Sequence, residues 1–237
     1  MLTVIAKYVT AERHCRSLNA LVLTVAAALW LTAGATGLVR AGDRFVIHDV
    51  TGACDGECAI HVYGGKYVDT SMLKIAGPEA YTAPWDWQWL ESGIVAAAFS
   101  RPVISVPDYW QIEAEFGVAK RFGTLTALEG WAALYFRWNR FPWNKHLKTS
   151  IAISAGLNYA DHIDHVEVTK SGNGEGSNLL HFFSPEIAFS LPQSPEVELV
   201  FRFHHRSGGK AVWGGTKIFN STLGGAQYGT MGLRVHY

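Results

Sequence analysis

The segment Gln227-Tyr228-Gly229-Thr230-Met231-Gly232-Leu233-Arg234-Val235-His236-Tyr237 decides the fold. Counting back from Tyr237, Val235, Leu233 and Met231 fall on one side of an extended chain, and His236, Arg234 and Thr230 fall on the other. Side chains alternate faces in a strand, so this is a strand with one apolar and one polar face. It stops on an aromatic residue.

The pattern repeats upstream. Trp110, Ile112, Ala114, Phe116 and Val118 alternate with Gln111, Glu113 and Glu115, with Arg121 further along the polar side. Leu128, Ala132, Leu134, Phe136 and Trp138 oppose Glu129, Tyr135, Arg137 and Asn139. Leu147, Ile151, Ile153, Ala155, Leu157 and Tyr159 follow, then Phe183, Ile187, Phe189 and Leu191, then Val197, Leu199, Phe201 and Phe203. Weaker strands near Ala59–Val68 and Ser92–Arg101 bring the number to eight.

Several strands carry ionised groups at consecutive polar-face positions, which a β-sandwich core would penalise unless they were paired. A barrel lumen can pair Glu113, Glu115, Glu129, Glu186 and Glu198 with Arg121, Arg137, Lys148, Arg202 and Arg234, leaving the apolar face to lipid. The expected fold is therefore all-β, an eight-stranded antiparallel transmembrane up-and-down β-barrel over residues 59–237. A periplasmic β-sandwich is the third-ranked alternative. Connections near 69–91, 161–178 and 208–226 are long, and those near 102–107, 142–145 and 192–195 are short and contain proline. With both ends periplasmic, six of seven connections fit long loops outside and short turns inside; the short one near 123–126 does not. The terminal strand resembles the closing strand of bacterial outer-membrane barrels, which implies recognition by the barrel assembly machinery.

The amino terminus reads as an export signal. Arg13 and Arg16 precede an apolar run, Leu18–Leu31, and the small residues Ala33-Gly34-Ala35. Cleavage is expected after Ala35, with Ala41 as second choice. The expected organisation is a signal peptide over 1–35, a short periplasmic segment over 36–58 and the barrel beyond. Cys54 and Cys58, in Cys54-Asp55-Gly56-Glu57-Cys58, are expected to form a disulfide in an oxidising compartment. A metal site with Asp55, Glu57 or His61 is the alternative, though a second ligand pair is missing. Twenty basic and twenty acidic residues give no electrostatic case for nucleic acid.

One segment carries catalytic chemistry: Phe203-His204-His205-Arg206-Ser207-Gly208. His205 and Ser207 are two apart on a strand and share its apolar face. A histidine beside a serine hydroxyl can take its proton and create an ester-cleaving nucleophile. On a lipid-facing surface the substrate would itself be a lipid. The competing reading is an interfacial histidine at headgroup level, with Arg206 and Lys210 contacting lipopolysaccharide phosphates. A register slip would exchange His204 and His205.

These residues, with Leu179-Leu180-His181-Phe182-Phe183-Ser184-Pro185-Glu186, resemble the PagL-type lipid A deacylase (acyloxyacyl hydrolase) family. The resemblance implies an outer-membrane barrel of a Gram-negative bacterium that hydrolyses an ester-linked acyl chain of lipid A without a required metal or other cofactor. It assigns Ser207 as nucleophile, His205 as general base and the Gly208 N–H to oxyanion stabilisation. The family's acid lies on the outward face of the last strand. The matching position here is Gln227, and no Asp or Glu follows Glu198. An amide in that place costs about 10⁴ in kcat in a serine protease. Asn220 is another neutral candidate. Partners implied are lipopolysaccharide as substrate or ligand, outer-membrane lipid and, as an option left open, a second copy of the chain in a homodimer. The alternative function is a non-catalytic barrel that binds lipopolysaccharide or stabilises the envelope.

The run Asp161-His162-Ile163-Asp164-His165-Val166-Glu167 resembles a metal-ligand cluster, but its polar, glycine-rich surroundings predict a solvated loop. Trp85, Trp87 and Trp89 are expected at the membrane boundary.

Overall fold

The computed structural model describes residues 45–76, 82–169, 171, 174–209 and 217–237. The expected signal peptide lies outside them. Among the described residues there are ten strands: β1 (Val46–Ile47), β2 (Ala59–Val68), β3 (Trp89–Val106), β4 (Trp110–Gly123), β5 (Leu128–Trp138), β6 (Lys148–Ala160), β7 (Leu179–Phe183), β8 (Glu186–Leu191), β9 (Ser194–Ser207) and β10 (Gly225–His236). Two short helices, α1 (Met72–Ala76) and α2 (His165–Thr169), sit in connections.

The strands close a ring. From β2 to β6 each strand pairs antiparallel with the next, β9 pairs with β10, and β10 pairs with β2 from Tyr228↔Tyr67 to His236↔Ala59. β7 and β8 both lie between β6 and β9, so they are two halves of one stave broken at Ser184-Pro185. The proline cannot donate to the ladder there. β1 is a two-residue addition to β3, and the barrel has eight staves. Closure leaves no unpaired edge, the condition a β protein must meet in lipid.

The faces sort as the alternation predicts. Outward Phe116 is 60% exposed, Leu134 55% and Leu233 54%, while inward Glu113, Glu115, Glu129, Glu186, Arg137, Arg202 and Arg234 are buried. An apolar exterior around a charged interior is stable only with hydrocarbon outside, so the barrel spans a membrane. Among the described residues no helix is long and apolar enough to cross one.

The interior is a lattice of paired ions. Glu186 receives Arg202 at 2.8 Å, Arg234 at 2.8 Å and Arg137. Arg202 also binds Glu115 through two hydrogen bonds, and Arg137 binds Glu113 likewise. Arg234 reaches Glu198. Lys148, expected in this lattice, is instead exposed at the start of β6. Trp131 packs among the ions, its Nε1 donating to Glu115 at 2.8 Å. Gly117 makes room for it: a Cβ there would lie 2.1 Å from the indole.

Three expectations change. β3 runs through Pro102 with a register shift between Pro102 and Ile104, so the turn narrows to residues 107–109. The connection from β5 to β6 spans 139–147, longer than the expected 142–145. The Asp161–Glu167 run is solvated only in part: Asp161, His162 and His165 are exposed. Asp164 and Glu167 are buried and bind Arg121 at 3.0 and 3.2 Å, and Glu167 also binds Arg206 at 3.0 Å. α2 thus stoppers the long-loop end of the barrel. Burial pushes the Glu167 carboxyl up even with two guanidinium groups beside it. Among the described residues no His, Cys, Asp or Glu group could hold a metal.

At the opposite rim, a disulfide joins Cys54 to Cys58. Arg101 donates to the carbonyls of Val50, Gly52 and Ala53 and straps this segment to the barrel. The Tyr237 N–H donates to the Cys58 carbonyl at 2.9 Å, which places the strap and the carboxyl terminus at the same rim.

Candidate active site

β9 and β10 pair with Gln227 opposite His205 and Gly225 opposite Ser207. Directly opposed side chains on one face lie close enough to touch, and residues two apart on a strand share that face. Register alone therefore brings Gln227, His205 and Ser207 together on the outward surface near the long-loop rim. His205 Nε2 lies 3.0 Å from Ser207 Oγ, and His205 Nδ1 lies 3.0 Å from Gln227 Oε1. Both distances are within reach for proton transfer and imidazole orientation. The site can activate a hydroxyl on the lipid side of the wall.

His204 points the other way. It is fully buried, with Nδ1 2.7 Å from the Tyr63 hydroxyl and Nε2 3.1 Å from Glu129. The two adjacent histidines are thus separated by the sheet, in the register the alternation indicates.

The trio is more enclosed than an open lipid-facing patch. Ser207 is 8% exposed and Gln227 5%. The connection from β2 to β3 folds against the outside of the barrel here. Trp87 packs edge-on against outward Phe203 with ring centroids 5.3 Å apart and lies beside Trp89, while Trp85 is exposed. Gln227 Nε2 donates to the Thr70 carbonyl. Of the three tryptophans, Trp87 walls the site at Phe203, with Trp89 beside it.

Two assignments meet other contacts. The Gly208 N–H, expected to stabilise an oxyanion, already donates to the Gly224 carbonyl at 3.1 Å. Close packing accounts for the glycine, since a Cβ would sit 1.6 Å from the Thr222 carbonyl oxygen. Asn220 is tied to the neighbouring loop through Glu175 and the Gly176 carbonyl, so Gln227 and not Asn220 orients His205. Arg206 is buried inward against Glu167 and the carbonyls of Ser177 and Asn178, which removes it as a headgroup contact. Lys210 lies outside the described residues.

Sequence reasoning passed over two residues here. His181 stands directly opposite Ser207 in the β7–β9 register and is half-buried. The alternation in Leu179–Phe183 gave the parity that places it there. Thr70 had no sequence signal, because its contribution is a backbone carbonyl from a distant loop.

No protein-family model matches the chain, and no curated protein matches it. A crystal structure of Neisserial surface protein A aligns at a TM-score of 0.41 with 10% identity, covering 78% of this chain and 100% of that chain. The barrel assignment rests on the strand pairing itself.

Proposed function

We propose that this protein is an outer-membrane esterase of a Gram-negative bacterium that removes an ester-linked acyl chain from lipid A or a closely related lipid. The observation that carries the reading is the hydrogen-bonded sequence Gln227–His205–Ser207 on the lipid side of a barrel wall. A serine and a histidine are costly on such a surface without a use.

In this mechanism Ser207 Oγ bonds to the acyl carbonyl carbon while its proton passes to His205 Nε2. Collapse of the tetrahedral intermediate breaks the ester C–O bond, and the departing alkoxide takes that proton. Water then attacks the acyl-serine carbonyl, giving a proton to Nε2; the acyl–Oγ bond breaks, Ser207 Oγ takes the proton back from Nε2, and the fatty acid leaves. Gln227 holds the imidazole in place through a neutral amide and lends no full negative charge to the imidazolium formed during attack.

Mass spectrometry of lipid A from cells expressing wild type or Ser207→Ala tests the reading. A lost acyl chain in the first and full acylation in the second is the expected result. Identical acylation in both would sink it. The second reading, a non-catalytic barrel that binds lipopolysaccharide, draws on the Gly208 N–H being engaged by Gly224.

A further inference from the structure

We infer that Gln227 is a purpose-fitted positioning residue rather than a degraded acid, with its amide set by the Thr70 carbonyl so that the loop after β2 fixes the proton direction of the site. The inference rests on the esterase reading and adds a structural part to it.

The hydrogen bonds at the site run in one direction because backbone groups fix both ends. At one end stands the Thr70 carbonyl, which can only accept. Gln227 must therefore turn its NH₂ toward Thr70 and its Oε1 toward His205. Oε1 can only accept, so His205 Nδ1 carries the proton across their 3.0 Å contact. Nε2 is then the unprotonated nitrogen, facing Ser207 Oγ at 3.0 Å. At the other end the Gly209 N–H, which can only donate, reaches Ser207 Oγ at 3.3 Å. The serine oxygen accepts there and is left to donate its own proton to Nε2. Every group is in the state that nucleophilic attack requires.

A glutamate could not occupy this place in the same way. One carboxylate oxygen would face His205, but the other would face the Thr70 carbonyl oxygen with no hydrogen between them. That juxtaposition leaves a buried acceptor unsatisfied and sets like partial charges against each other. Thr70 is itself held: its hydroxyl accepts from the Gln88 N–H at 2.8 Å, and the Asp69 N–H donates to the Gln88 carbonyl at 2.8 Å. Trp87, next to Gln88, anchors the same loop on Phe203. The carbonyl cannot move away without undocking the loop.

The experiment uses the full-length barrel refolded in lipopolysaccharide-containing vesicles, with Gln227→Glu, Trp87→Ala and the double variant. In the otherwise intact chain Gln227→Glu is expected to lower kcat about tenfold or more, with KM held, as expected for loss of a buried charge-free hydrogen bond. Amide exchange at residues 69–71 and 88 is expected to speed up by about tenfold in the same variant, because the loop loses its tie. Trp87→Ala loosens the loop, so there Gln227→Glu should reverse sign and exceed Trp87→Ala alone in kcat. A purely structural glutamine would not reverse. A rise in kcat for Gln227→Glu in the intact chain, or unchanged exchange at the loop, overturns the inference and leaves the esterase reading standing. No hydrolysis by wild type overturns the esterase reading and the positioning role together, whatever the exchange shows.

Discussion

Two serine–histidine pairs occupy opposite rims of this barrel. At the long-loop rim, Gln227, His205 and Ser207 are joined at 3.0 Å and 3.0 Å. At the other rim, Glu57 lies 2.8 Å from His48 Nδ1, and His48 Nε2 lies 2.9 Å from Ser105 Oγ. By hydrogen-bond geometry the second set is the better triad, because its third member is a carboxylate. The surroundings separate them. His48 directly follows β1 and its backbone N–H donates to the Val103 carbonyl at 3.0 Å, while its imidazole joins Glu57 of the disulfide-bearing strap to Ser105 of β3. His205 stands on the apolar outside of the barrel, on the same strand face as Phe203, against which Trp87 packs. A triad is recognised by what its nucleophile can meet, and distances alone do not decide it.

The sharpest way to break this comparison is to remove each serine. Ser207→Ala should reduce lipid A hydrolysis by about a thousandfold or more, since the nucleophile is lost. Ser105→Ala should change it by no more than about twofold, the scale of a peripheral substitution. Rate measurements on vesicles decide it, and equal losses would erase the distinction between the rims.

The next effect is on stability, and it contrasts the lumen with the outward site. Glu186→Ala removes one carboxylate partner from each of three buried guanidinium groups and should destabilise the barrel by about 3–5 kcal/mol. Urea unfolding followed by gel mobility of the folded band would measure it. Smaller again is His204→Gln, which disturbs the hydrogen bond to Tyr63 and the contact with Glu129 and should cost about 1–3 kcal/mol while the folded fraction still hydrolyses lipid. His205→Gln should show the reverse, with activity lost and stability nearly kept. The smallest effect is expected from Cys54→Ser. A five-residue closed loop contributes at most about 2 kcal/mol, and only to the strap, so barrel unfolding should not shift.

Legibility followed the range of the interaction. Which residues of β9 and β10 face outward could be read directly, because a strand's period of two is set by neighbouring peptide units. That parity was enough to put Gln227 on the same face as His205 and Ser207. It could not report that the Gly208 N–H is taken by Gly224, because that bond depends on how the 208–224 connection returns to the sheet. Nor could it report the fate of Asp164 and Glu167. Their glycine-rich neighbourhood reads as solvent-exposed loop, yet Asp164 and Glu167 turn inward to pair with Arg121, and Glu167 also with Arg206.

The amino-acid sequence by itself therefore determined the barrel, its inside and its outside, since alternation of apolar and ionised residues is a local code that only a closed, lipid-bathed sheet satisfies. The tertiary structure alone decided the pairings of the lumen ions and the stopper made by α2. It also decided the identity of Glu57–His48–Ser105 as a stitch and the contact of the Thr70 carbonyl with Gln227. Each of these joins residues far apart in the chain through a backbone group or a loop path, and no periodicity encodes such a meeting.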